Sequence, residues 1–386
     1  MGYIALGDLI SKAQVEKCGK REYPVLSMTM HDGIVFQNDR FKKDIASVDR
    51  SNYSIVGFNQ LVVSFPIDEG VLAVQDITDA GIVSPAYKIW DIDQAKLVPK
   101  YLEMWLRSPR SIDYYKSKLR GTTARRRSIP EEDFLGMRVN VPPMEEQERI
   151  VDLITRVKGV MLLREQELVA LGDLIKARFV EMFGDPLLNP MNWKEEKLEE
   201  IADIVSGITK GRKLQSTDLY EVPYMAVSNV KDGYIDWTTV KTILASQAEI
   251  DQYRLLPNDV LMTEGGDPDK LGRGAIIHEP PSDCIHQNHI FRVRLDQSRI
   301  TPEFMGQYLQ HQKAKRYFLG CAKQTTGIAS INMKQLRALP MLMPPIGLQR
   351  EFAAFVAQID KSKSVIQKSL DETQLLFDSL MQEYFG

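Results

Sequence analysis

The sequence predicts an α+β protein: two mixed α/β domains joined by two long helices that pair as an antiparallel coiled coil, in a pseudo-twofold tandem repeat. Three observations lead there. Segments about 200 residues apart match one another in order. Two long stretches carry a sustained heptad. The sequence ahead of each is cut into short apolar runs by Gly, Pro, Asn and Asp, which mark strands and turns.

The repeat is read first. An offset of 202 residues carries Pro142-Pro143-Met144 and Gln147 onto Pro344-Pro345-Ile346 and Gln349, and Phe183-Gly184 onto Phe385-Gly386. Upstream, an offset of 203 superposes Pro99, Tyr101, Leu106, Tyr114 and Thr122-Thr123 on Pro302, Phe304, Leu309, Tyr317 and Thr325-Thr326. Nearer the start the offset is about 199 or 200, pairing Pro24 with Pro223 and Asp32-Gly33 with Asp232-Gly233. Single matches arise by chance; this many in order are a duplication.

After each Pro-Pro, apolar residues recur at alternating spacings of four and three. The first series is Ile150, Ile154, Val157, Met161, Arg164, Leu168, Leu171, Ile175, Arg178 and Met182. The second is Phe352, Val356, Ile359, Lys363, Ile366, Leu370, Thr373, Phe377, Leu380 and Tyr384. A 3.5-residue period is the template of a coiled coil. Each helix is expected to run about 38 residues, roughly 57 Å, with acidic Glu145 and Glu146 in the first turn and Gly184-Asp185-Pro186 as a stop. The polar positions Arg164 and Lys363 are expected to fix register. The divisions are a first domain over 1–141, a helix over 142–184, a second domain over 185–343 and a helix over 344–386. Short strands are expected at Ile55-Val56, Leu61–Ser64, Ile276-Ile277 and Ile290–Val293, and helices near Val98–Leu106 and Pro302–Leu309.

Composition sets the class. Apolar residues make up 44% and charged residues 26%, as in soluble globular proteins. No signal peptide or bilayer-spanning run is read, and Cys18, Cys284 and Cys321 form no disulfide framework, so a cytoplasmic protein is expected. The net charge of −3 carries no sign of a polyanionic partner, which leaves only local charge to carry one. Local charge does. Between Arg107 and Arg127 lie eight basic residues, Arg125, Arg126 and Arg127 among them, and one acid, Asp113. The equivalent stretch of the second repeat holds Lys313, Lys315, Arg316, Lys323 and Lys334 with no acid. Basic clusters recurring at the repeat offset suit phosphate binding, with the neighbouring threonines as hydroxyl donors.

Catalytic chemistry is not read. There is no phosphate-binding P-loop or dinucleotide fingerprint, and Cys284, His286 and His289 lack the further ligands of a zinc site. Asn189-Pro190-Met191-Asn192 lacks the second proline and aromatic of an amino-methyltransferase loop. No cofactor, metal or catalytic residue is therefore assigned.

Two variable domains, each closed by a Pro-Pro-x-x-x-Gln element leading into a long helix, resemble the specificity subunits of type I restriction–modification enzymes. The resemblance covers the whole chain and is most specific at Ser128-Ile129 through Ile150, with a weaker copy from Ser330-Ile331 through Glu351 that has Gly347-Leu348 in place of Glu145-Glu146. It implies two target-recognition domains that each read half of a split site in double-stranded DNA. The paired helices would set the gap. Two modification subunits would dock to methylate adenine, and restriction–translocase subunits would join them. Base readout needs donors and acceptors reaching the major groove. The candidates are Thr29, His31, Ser64, Ser84 and Tyr87 in the first domain. In the second they are Lys210, Arg212, Ser228, Asn229, Lys270, Arg273, Gln287 and Asn288, with Lys323 and Thr325 as phosphate contacts. Two other readings stay open: a DNA methyltransferase with an unrecognised catalytic domain, and a coiled-coil assembly protein without DNA binding.

Overall fold

Both heptad stretches are helices in the computed structural model, which describes residues 2–30, 32–40, 49–119, 129–213, 218–267, 271–325 and 328–386. Helix α1 spans Met144–Phe183 and α2 spans Ile346–Phe385, 40 residues each. All twenty heptad positions are buried or half-buried, Arg164 and Lys363 included, while the residues between them are mostly exposed. A 3.5-residue period keeps one stripe on one side of a helix, and that stripe is the one covered. Gly184 ends α1 at φ 75°, and a side chain there would meet the ring of Pro190 at 2.6 Å. Only glycine takes both the left-handed turn and the close approach. Half-buried Lys363 also pairs along its own helix with Asp360 at 3.6 Å.

The chain divides into two units, residues 1–165 with 368–386, and residues 166–367. In the first, four antiparallel strands, β1 (Ile10–Lys12), β2 (Leu61–Val63), β3 (Leu72–Val74) and β4 (Lys88–Ile92), lie in the order β1-β4-β2-β3. Leu61, Val62 and Val63 are all buried, as befits an inner strand covered on both faces. The core gathers Trp90, Tyr101, Trp105, Tyr115 and Phe134 around Ile150 and Ile154 of α1 and Phe385 of α2. The start of α1 thus meets the end of α2, and Arg149 Nη2 lies 3.2 Å from the Tyr384 hydroxyl. The two helices run antiparallel here.

The second unit has the same plan. Strands β5 (Ala202–Ser206), β6 (Val260–Thr263), β7 (Gly274–Ile276) and β8 (Ile290–Leu295) lie in the order β5-β8-β6-β7, all antiparallel. Here the end of α1 meets the start of α2. Phe179 and Phe183 pack on Phe304 and Phe352 with ring centroids 4.9 to 5.5 Å apart, tilted or edge-on. These are the favoured geometries for aromatic rings.

The repeated glutamine explains the Pro-Pro-x-x-x-Gln element. Gln147 is fully buried; its Oε1 accepts from Val98 N at 2.8 Å, and its Nε2 donates to Lys96 O and Pro142 O at 2.9 and 2.8 Å. Gln349, equally buried, accepts from Thr301 N at 3.0 Å and donates to Arg299 O and Pro344 O at 3.2 and 2.8 Å. In both units one side chain ties the first turn of a long helix to the loop that leaves the sheet. Tyr114 and Tyr317 repeat in the same way, each donating its hydroxyl proton to a backbone carbonyl, of Asp133 and Gln335 respectively.

Candidate nucleic-acid interface

Each sheet has one end near its glutamine anchor and one end away from it. Strand β4 leads out of its last residue towards Lys96 and Val98, which Gln147 holds; β8 leads likewise to Arg299 and Thr301. The far ends are equivalent. Ser64 N donates to Val71 O after β2, as Thr263 N donates to Arg273 O at the end of β6. The next residue is Phe65 in the first unit and Glu264 in the second.

In the first unit this end carries Ser64, exposed Phe65, Ser84, Tyr87 and Lys88. Phe65 and Tyr87 meet edge to face at 6.1 Å, and beside them lies a small, mainly apolar cavity of about 130 Å³ lined by Ser64, Phe65, Lys88, Trp90, Ile129 and Phe134. In the second unit the same end carries Arg273, Gln287, Asn288, Glu264 and His289. Sequence reasoning named the first three of these five and missed Glu264 and His289. The signal was available, because the repeat offset of about 200 takes Ser64 next to Glu264.

Other candidates lie elsewhere or are already occupied. Asn229 is fully buried, accepting from Ala226 N and donating to Asp236 O and the Thr239 hydroxyl, so its amide is not available to a base. Thr29 is buried, with its hydroxyl oxygen accepting from Asp32 N at 2.8 Å. Arg212 grips Glu249 with two bonds of 2.5 and 2.7 Å and donates to Leu244 O. That guanidinium holds the Glu249 carboxyl down at about 2. Asn229 is thus fully engaged within the fold, whereas the Thr29 hydroxyl and the Arg212 guanidinium are engaged in part. Lys210, Ser228 and Lys323 are exposed, and Thr325 lies on the strand Lys323–Thr325. His31, Arg125, Arg126, Arg127 and Lys270 lie outside the described residues.

The basic clusters divide likewise. Arg107 is bound to Glu103 and to Met30 O, and Arg110 to the Tyr3 hydroxyl and Gly386 O, so both brace the first unit. Lys313 pairs with Glu195 and Lys315 with Asp232, whereas Arg316 and Lys334 are exposed. No group of three metal-ligating side chains occurs among the described residues.

His286 serves the core. It is fully buried, its Nδ1 3.1 Å from Ile290 O, and burial together with the Arg292 cation lowers its pKa to about 4. Unfolding restores a histidine near 6.5. Below that pH the unfolded chain takes up a proton that the folded chain refuses until about 4, so stability falls as pH drops through this window. The slope approaches about 1.4 kcal/mol per pH unit. Denaturant midpoints at pH 7 and 5 are expected to differ more in the parent than in His286→Gln; equal differences would remove His286 as the cause.

Comparison with known proteins places this geometry. A family model described as the type I restriction modification DNA specificity domain matches residues 190–373. The EcoKI type I restriction enzyme specificity subunit of Escherichia coli is 21% identical over 273 residues, 66% of this chain and 57% of that protein. The chain is thus similar to type I specificity subunits. The StySPI specificity subunit of Salmonella potsdam is also similar, 23% identical over 302 residues, 74% of this chain and 63% of that one. The matched stretches cover only 46 to 63% of the curated relatives' own lengths. The crystal structure of a type I restriction-modification system S subunit from M. genitalium superposes with a TM-score of 0.57 at 16% identity, covering 100% of this chain and 96% of that one. At that identity what is shared is the fold: two α/β parts and two long helices. Among the described residues no helix is long and apolar enough to cross a membrane.

Proposed function

We propose that this chain is the DNA-reading subunit of a type I restriction–modification assembly and performs no chemistry itself. The target-recognition domains are taken as 1–141 and 185–343, with 142–184 and 344–386 as spacer helices. One observation carries the reading: both units present polar or aromatic side chains at the equivalent sheet end, the end away from the helix anchored by Gln147 or Gln349. A repeated reading edge on a repeated anchor suits a bipartite duplex site, because two such edges address two segments of one double helix. The exposed stripes of the long helices, with Leu162, Leu163, Val169 and Leu375 in the open, suit docking of modification subunits, two in number, with restriction–translocase subunits beyond them.

The test is selection from randomised duplexes by the full chain. Two short motifs at a fixed gap are expected; a chain that retains no duplex at moderate salt would favour the assembly-protein reading instead. Arg125, Arg126 and Arg127 are proposed as phosphate contacts. Changing all three to Ala should weaken target and non-target binding about equally, and each lost contact should flatten the log–log salt slope by roughly 0.9. An unchanged slope would mean the cluster is merely solvated.

A further inference from the structure

The far end of the second unit's sheet holds an acidic side chain where a purely phosphate-binding surface would hold none. Glu264 comes directly after β6 and its backbone is fixed on both sides. Its N–H donates to His289 O at 3.0 Å, and its carbonyl accepts from Ile331 N at 2.8 Å. Its side chain is about one third exposed, with Oε2 2.5 Å from His289 Nδ1. On the other side of the imidazole, Asn288 Nδ2 stands 3.4 Å from His289 Nε2. An amide nitrogen only donates, so Nε2 accepts and the ring proton sits on Nδ1, where it bonds the carboxylate. The lone pairs left free among the described residues are those of Glu264 Oε1 and Asn288 Oδ1.

We propose that Glu264, oriented by His289, reads the exocyclic amino group of a cytosine in the major groove of the half-site facing the second unit. The proposal rests on the DNA-reading function above. A carboxylate near DNA is repelled by every phosphate and gains only where it meets a donor. The major-groove donors are cytosine N4 and adenine N6. Adenine N6 is flanked by acceptors on both sides, its own N7 and the thymine O4, so the second oxygen of this acceptor pair meets an acceptor either way; cytosine N4 has the guanine O6 on one side but only C5–H on the other, which leaves room for that oxygen. The preference belongs to one half-site, since the equivalent position of the first unit is Phe65, an exposed ring with no acceptor. His289 acts by fixing the carboxylate and is a positioning residue. Glutamine at 264 would keep the shape but present a donor as well as an acceptor, and so relax the choice.

The experiment uses the full chain and the duplex it selects from a randomised pool. Each cytosine of the half-site assigned to the second unit is replaced in turn by its 2-pyrimidinone analogue, which lacks the amino group, and each adenine by purine. The parent should lose about tenfold or more in affinity at one cytosine. Glu264→Gln should lose less than about twofold there and should tolerate another base at that position, with the other half-site unchanged. Insensitivity of the parent at every cytosine overturns the proposal, as does sensitivity confined to an adenine. Equal sensitivity in Glu264→Gln overturns it too, and leaves the pair as a brace of the sheet end. The analogue series on the parent decides alone if the variant folds poorly. A parent that selects no site at all removes the DNA-reading function itself, an outcome distinct from the others.

Discussion

Gln349→Ala is expected to destabilise the second unit by about 3 kcal/mol, because it strands three buried backbone groups at once. Thr301 N–H, Arg299 C=O and Pro344 C=O all bond the Gln349 side chain, which has no solvent exposure. Each buried polar group left without a partner costs about 1 to 3 kcal/mol, and water entering the vacated space offsets part of the sum. Gln349→Glu separates shape from donation: it keeps an acceptor for Thr301 N–H but turns both donated bonds into contacts between oxygens. It should be at least as damaging. Gln147→Ala should repeat the effect in the first unit through Val98, Lys96 and Pro142. Chemical denaturation monitored in each unit measures this. Losses below about 0.5 kcal/mol, the scale of ordinary surface changes, would show that the glutamines do not anchor the helices.

The second large effect is on site geometry. Inserting four residues after Leu171, inside α1, lengthens that helix by about 6 Å and rotates its C-terminal part by roughly 40° beyond a full turn. Leu171 lies on the covered stripe, and four extra residues are a stutter that unwinds a heptad locally without destroying it. Folding should therefore survive. One base pair occupies about 3.4 Å, so the selected gap should grow by one or two base pairs while both half-site motifs stay the same. Motif selection with the variant measures this directly. A folded, binding variant with the parent's gap would remove the spacer role of the helices.

The amino-acid sequence by itself determined whatever depends on local periodicity or on repetition. The heptad places its twenty positions on one stripe of each helix wherever the helix goes, and all twenty are covered. Gly184 was legible as a stop because a left-handed residue has few alternatives. The Pro-Pro-x-x-x-Gln element was legible as a repeat, though not as an anchor, since its hydrogen-bond partners lie some fifty residues away in sequence. The candidate interface fared less evenly for the same reason. Asn229, Thr29 and Arg212 have the side chains that read bases, but such side chains also saturate turns and buried backbone, and only tertiary placement decides which use prevails. Glu264 and His289 are 25 residues apart. Antiparallel pairing of β6 with β8 makes them neighbours, with Glu264 N–H bonded to His289 O. Strand register is a non-local choice set by which faces the sheet buries, and no local pattern around either residue encodes it.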